Sequence, residues 1–219
     1  MLVESEDTTI VIDTGPDFRQ QMLRAGVKKL DAVLLTHEHN DHIIGIDDVR
    51  PFNFRQQQDI PVFADVRVQK ELKTRFAYIF RENLYPGIPQ LSLNTISKNQ
   101  TFQIKEIPII PIEVIHGKLP VLGFRFGDVT YITDARTIES VEMEKIKGTR
   151  ILILNALHQY DHYSHFNLEG ALEIVKRLQP EQTYLTHVSH HMGLAEEINP
   201  QLPSNVQLAY DEQTFLTVI

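Results

Sequence analysis

Four metal-capable side chains fall within six positions, His37-Glu38-His39-Asn40-Asp41-His42, directly after the apolar run Ala32-Val33-Leu34-Leu35-Thr36. A five-residue apolar run of this kind reads as a strand buried on both faces. Imidazole and carboxylate suit borderline divalent metals, which they ligate at about 2.0–2.2 Å. Alternation puts positions 37, 39 and 41 on one side of an extended loop, and 42 adds a fourth donor where the chain turns. Glu38 and Asn40 then point the other way. Four donors packed this tightly can serve two ions, and paired ions imply hydrolytic chemistry.

The remaining pattern is that of a layered α/β chain. A strand over Thr8–Ile12 ends at Asp13, and Thr14-Gly-Pro-Asp turns into a short helix near 17–25 with Gly26 as its stop. Pro61–Ala64 reads as a strand, and Asp65 as the cap of a helix over 66–80. From Leu91 to Thr133 the pattern is β, with strands at Leu91–Ile96, Ile107–Ile115, Val121–Phe126 and Val129–Thr133. Arg150–Leu154 is a further strand. Asn167 is placed to cap a helix to Leu178, which Pro180 ends. Thr183–Thr186 is a strand, 191–198 a short helix, and Val206–Ala209 and Phe215–Val218 two closing strands. No linker or low-complexity tract interrupts the 219 residues, so a single domain spanning 1–219 is expected.

Composition narrows the function. The net charge of −8 argues against a broad nucleic-acid surface. It does not exclude a small anionic substrate, because a bound metal pair is the largest local charge in its site. No run approaches the roughly 18–20 apolar residues of a membrane span. The acidic start lacks the order of a signal peptide. Cysteine is absent, which removes thiolate ligands and thiol nucleophiles and fits a cytoplasmic protein.

The order Thr36-His37-x-His39-x-Asp41-His42 after an apolar strand resembles the signature of the metallo-β-lactamase superfamily. Asp13, His116 at the end of its strand, Asp134 in Val129-Thr-Tyr-Ile-Thr-Asp-Ala135, and His187 in Thr183-Tyr-Leu-Thr-His187 match that family's other motifs. The resemblance implies a four-layer αββα sandwich, two mixed β-sheets flanked by helices. It also implies two divalent ions, zinc or manganese. His37, His39 and His116 would hold one, and Asp41, His42 and His187 the other, with Asp134 and a hydroxide nucleophile bridging them. Asp13 is expected to orient a ligand from behind.

Within the superfamily, Asp13-Thr-Gly-Pro-Asp-Phe-Arg-Gln, Asp47-Asp48-Val-Arg50-Pro-Phe-Asn53 and Leu185-Thr-His-Val-Ser-His190 look like the subgroup of phosphoribosyl cyclic-phosphate phosphodiesterases. That likeness implies hydrolysis of a small, cyclic phosphate ester. It assigns His165 as general acid or phosphate contact, with His190 as the competing candidate. Relative to that subgroup the N-terminal strand is missing, and the absent cysteines leave no structural zinc. The alternatives are a transfer-RNA 3′ processing endonuclease, a thioester or lactone hydrolase, and a catalytically impaired metal-binding relative. The superfamily habit of pairing makes a homodimer the expected assembly.

Overall fold

The computed structural model describes residues 1–81, Tyr85 and 87–218. The chain falls into two compact units, Met1–Ile107 and Pro108–Ile219.

The first unit runs β1 (Leu2–Glu4), β2 (Thr9–Ile12), α1 (Phe18–Arg24), β3 (Ala32–Leu34), α2 (Asn40–Ile43), a 3₁₀ segment at Ile44–Val49, α3 (Arg50–Gln56), β4 (Ile60–Ala64), α4 (Val66–Arg75), β5 (Leu91–Thr95) and β6 (Phe102–Ile104). Its mixed sheet has the order β1-β2-β3-β4-β5. The β1–β2 pair is antiparallel and the other three pairs are parallel. Parallel strands covered on both faces should be apolar throughout, and Ala32, Val33 and Leu34 are completely buried. Asp65 caps α4 by accepting from the Val68 amide at 2.8 Å. The apolar faces of the helices (Phe18, Ile46, Phe52, Val68, Leu72) join Val33 and Val62 in one core.

The second unit is entered within β7 (Ile107–His116). It continues through β8 (Leu119–Phe126), β9 (Val129–Ile132), α5 (Ser140–Ile146), β10 (Ile151–Asn155), α6 (Leu168–Leu178), β11 (Gln182–Thr186), α7 (Ala195–Ile198) and β12 (Val206–Leu208). Within this unit the strand order is β12-β11-β10-β9-β8-β7. The first four of these are mutually parallel, and β8 and β7 follow antiparallel. Helix α6 starts where Asn167 Oδ1 accepts from the Gly170 amide at 3.0 Å. It stops at Gln179, which is left-handed (φ 50°). Glu169 in its first turn and Lys176 and Arg177 in its last complement the helix dipole. Ala171, Ile174 and Val175 pack with Leu152, Leu154 and Leu185 from the strands.

The structure departs from the sequence expectations in several places. Strand β1 occupies the edge beside β2, pairing Leu2 with Val11 and Glu4 with Thr9. Helix α4 ends at Arg75 because Phe76 leaves helical geometry (φ −108°, ψ 40°). The stretch expected as one helix over 191–198 is a 3₁₀ turn, His190–Met192, and α7, divided by Gly193 at φ 102°. Phe215–Val218 forms no strand; the Phe215 ring instead stacks on Tyr184 at 5.3 Å. Helices α3 and α5 carry no strong cap or stripe in the sequence. No helix among the described residues is long and apolar enough to cross a membrane.

One ionic contact in the first unit has a testable pH consequence. The Asp31 carboxylate accepts from Lys105 Nζ at 2.7 Å and the Thr9 amide at 2.9 Å, with Lys29 Nζ at 3.2 Å. Burial alone would raise its pKa, but hydrogen bonds from Lys105, the Thr9 amide and Lys29 outweigh it and hold the carboxyl below its ordinary 3.8. A depressed folded-state pKa gives stability that is present above the unfolded value and lost as pH falls through the folded one. Asp31→Asn is therefore expected to lower the stability read by urea denaturation near neutral pH, by about 1–3 kcal/mol for a hydrogen bond to a charged group. The gap from the unsubstituted protein should close below about pH 3.8. Equal gaps at pH 7 and pH 3 would contradict this account.

Candidate metal centre

In the first unit three imidazoles converge on the loop between β3 and α2. The His37 ring centroid lies 4.6 Å from that of His39 and 4.2 Å from that of His42. His39 is the N-cap of α2, with extended backbone (ψ 149°), and its carbonyl accepts from the His42 and Ile43 amides. That short helix carries Asp41 and His42 on its first turn. His42 Nε2 lies 3.4 Å from Asp41 Oδ2, and Asp41 is largely exposed.

Asp13 sets this arrangement from behind. One of its carboxylate oxygens accepts from the Thr36 amide at 2.8 Å. The other accepts from the Thr36 hydroxyl at 2.8 Å and from His42 Nδ1 at 2.7 Å. The Thr36 hydroxyl, having given its proton to Asp13, accepts from His37 Nδ1 at 3.0 Å. One carboxylate thus fixes the tautomers of two imidazoles and leaves Nε2 of each as a lone pair. His37 Nε2 then faces His39 Nδ1 at 3.0 Å. Two ligand atoms each about 2.0–2.1 Å from one tetrahedral ion lie about 3.3 Å apart, so this pair fits a shared cation.

Glu38 and Asn40 are not idle, although the expected extended loop ends at His39 and Asn40 and Asp41 lie in the first turn of α2. Glu38 forms an ion pair with Arg67, and Asn40 Oδ1 accepts from Arg75 Nη1 at 2.6 Å. Both arginines stand on α4. The sequence reading missed this role. Its only signal was two arginines eight residues apart on a helical face.

In the second unit the centre of the cluster is Asp134, 2% exposed. Thr133 Oγ1 donates to its Oδ1 at 2.5 Å. His187 Nε2 lies 3.2 Å from Oδ1, and His165 Nε2 lies 3.2 Å from Oδ2. His116 Nε2 is 3.9 Å from Oδ2, and its Nδ1 donates to the Ser164 carbonyl at 2.9 Å, which directs the Nε2 lone pair inward. His165 Nδ1 lies 3.1 Å from Ser164 Oγ and 3.2 Å from His162 Nδ1. Burial, with His165 and His158 nearby, pushes the His162 pKa below its ordinary 6.5. Oriented imidazole nitrogens around a buried carboxylate form a donor set suited to a divalent ion. His190 stands apart from this group. It is exposed in the turn after β11, its ring 3.9 Å from that of His191.

Three of these residues share a backbone feature that a sequence does not display. Asp13, Asp134 and His187 each follow a buried strand and each is left-handed, at φ 60°, 56° and 54°. Non-glycine residues enter this region rarely, Asp and His more readily than most. The abrupt turn swings the side chain off the strand end, where ligands collect in layered α/β folds.

Residues 8–188 match the Beta-lactamase superfamily domain. The chain belongs to that family and has the metallo-β-lactamase fold, on which metal-dependent hydrolases are built. It is similar to a solved structure described as a new diphosphatase from the PhnP family, with 38% identity, a TM-score of 0.89, and coverage of 96% of this chain and 80% of that one. It is 37% identical to an octanoyltransferase of Porphyromonas gingivalis over 96% of its own length, yet spans only 43% of that protein. It is 24% identical to a ribonuclease Z of Anoxybacillus flavithermus, covering 98% of this chain and 89% of the relative. The likeness to the diphosphatase agrees with the subgroup named from sequence.

Glycines in the first unit set how closely the strand-end loop approaches the donor loop. A Cβ on Gly15 would lie 2.7 Å from the Asp41 carbonyl oxygen. A Cβ on Gly45 would overlap the Gly15 carbonyl and come within 2.9 Å of Phe18 Cβ. Gly45→Ala is expected to cost roughly 1–3 kcal/mol in overpacking and to weaken metal binding, because Gly45 N donates to Thr14 O at 2.8 Å beside Asp13. Chemical denaturation together with zinc titration checks both. Wild-type affinity in a destabilised variant would separate the glycine from the donor loop.

Proposed function

We propose that the protein hydrolyses a phosphodiester or diphosphate bond in a small, cyclic or otherwise compact phosphate ester. The observation that carries this reading is the 38% identity, over 96% of the chain, to a diphosphatase of the PhnP family. We assign His37, His39 and His116 to one divalent ion and Asp41, His42 and His187 to a second, with Asp134 shared between them and zinc or manganese equally suited. When bound, the ions would acidify a water molecule and offset charge on the phosphoryl oxygens.

The rest of the chemistry falls to the chain's own groups. Asp13 holds His37 and His42 in the tautomers that present Nε2. Asp134 fixes the direction of approach. Water attacks phosphorus and gives up a proton to solvent as the new P–O bond forms, and the bond to the leaving oxygen breaks in line with it. That oxygen needs a proton, and His165 Nε2, 3.2 Å from Asp134 Oδ2, is the donor we assign. The net charge of −8 supports a small substrate and the cysteine-free composition fits a cytoplasmic location; the homodimer rests on the habit of the superfamily alone.

A second reading, transfer-RNA 3′ processing, is favoured by the similarity to ribonuclease Z. Thioester or lactone hydrolysis is the third, and the partial match to an octanoyltransferase gives it an acyl-thioester arm. A substrate panel separates them. With manganese or zinc added, bis-p-nitrophenyl phosphate, cyclic ribose phosphates and a dinucleoside diphosphate should turn over, while precursor transfer RNA, octanoyl thioesters and lactones should not. Turnover of the thioester alone would end the phosphodiesterase reading.

Single substitutions test the roles. Asp134→Ala should lose metal and activity together. His165→Ala should keep its metal content and lose about 10²–10⁴-fold in kcat on substrates with poor leaving groups, with a much smaller loss on p-nitrophenyl esters. His190→Ala should stay within about threefold of wild type, below the loss expected of a general acid. A reversed pattern for His165 and His190 would exchange their assignments.

A further inference from the structure

Asn155 ends β10 and is completely buried. Its side chain closes a two-bond ring with the backbone of one residue. Oδ1 accepts from the Ala135 amide at 2.7 Å, and Nδ2 donates to the Ala135 carbonyl at 3.0 Å. Ala135 directly follows Asp134, whose left-handed conformation takes the chain out of the β9 ladder. At Ala135 the β9 ladder has ended, and the bonds to Ile115 of β7 resume only with the Arg136 and Thr137 amides. A buried amide and carbonyl left unmatched are costly, and a side chain with one donor and one acceptor in the right place replaces the missing strand.

The same point joins the other donor segments. The Ala135 carbonyl also accepts from the Phe166 amide at 2.6 Å, and the Leu157 amide donates to the Phe166 carbonyl at 2.9 Å. His165 is thereby tied to the Asp134 turn through its own chain neighbour. On the other side Asn155 pairs with Thr186 in the parallel ladder, and the Ala156 amide donates to the Thr186 carbonyl at 2.9 Å, one residue before His187. Three segments carrying Asp134, His165 and His187 meet around one carboxamide.

We propose that Asn155 is a positioning residue that holds Asp134 and His187 in register for metal, with His165 beside them, acting through the Ala135 backbone. The inference rests on the metal centre proposed above. A carboxamide offers an uncharged donor and acceptor on two adjacent atoms, the spacing that the amide and carbonyl of one residue require. Asn155→Asp would keep the acceptor and place an oxygen against the Ala135 carbonyl. Asn155→Leu would keep the volume and lose both bonds.

Binding and exchange are read with manganese alone, and turnover separately on bis-p-nitrophenyl phosphate. Asn155→Leu and Asn155→Asp should each raise the manganese dissociation constant at least tenfold. They should speed amide exchange at Ala135 and Phe166, and lower kcat with KM within twofold. Thr130→Val is the control. It removes the buried Thr130–Thr149 hydroxyl bond in the same unit, and should lower the thermal midpoint while leaving the dissociation constant within twofold.

Wild-type affinity in a folded Asn155→Leu or Asn155→Asp protein overturns the proposal. So does an equal loss of affinity in Thr130→Val at matched thermal midpoint. If neither Asn155 variant folds, the unsubstituted protein decides. Manganese should slow exchange of the Ala135 and Phe166 amides at least tenfold more than those of β12, and uniform slowing overturns the proposal. Failure of the unsubstituted protein to bind manganese or zinc would instead overturn the metal centre itself.

Discussion

A carboxylate that is buried in order to be surrounded by imidazoles is the constraint that organises the second unit. Asp134 cannot remain charged at 2% exposure without hydrogen bonds or cations around it. Thr133, His165 and His187 meet that need from three directions. The strands that lead to Asp134 and His187, β9 and β11, are short and parallel to β10 between them, and Ile132, Leu152, Leu154 and Leu185 anchor them in the apolar core. Rigidity of this kind matters for ligation, because preset donors lose little entropy when an ion collects them. The first unit follows the same logic with Asp13, whose carboxylate is engaged by Thr36 and His42.

How much of this is legible in sequence follows from the range of the interactions. The helix capped by Asn167 and the one capped by Asp65 are local events, and a side-chain cap followed by an apolar stripe reveals them. The six-residue donor loop is local too. His116, Asp134 and His187 are isolated in the chain. Only their likeness to family motifs marked them, and the structure then gathers His116, His165 and His187 on Asp134.

What stayed hidden depends on distant partners or on backbone geometry. Nothing near Glu38 says that Arg67 will meet it. Nothing in Leu154-Asn155-Ala156 says that the asparagine will bind Ala135, twenty residues earlier. The left-handed turns at Asp13, Asp134 and His187 are invisible because Asp and His are common in many conformations. The expected strand at Phe215–Val218 failed for the converse reason. Its β propensity is real, but an aromatic stack on Tyr184 engages it through a side chain rather than through a ladder.

The donor loop between β3 and α2 has a further consequence. Its alternate residues serve opposite masters: His37, His39 and Asp41 offer donor atoms, while Glu38 and Asn40 are gripped by Arg67 and Arg75 of α4. The loop is therefore not a portable module. Moved alone into another scaffold, the six residues would carry their donors but not the helix that grips Glu38 and Asn40. Drift in α4, a helix with no metal-binding residue in this scheme, is constrained at two positions by chemistry that takes place on the far side of the loop.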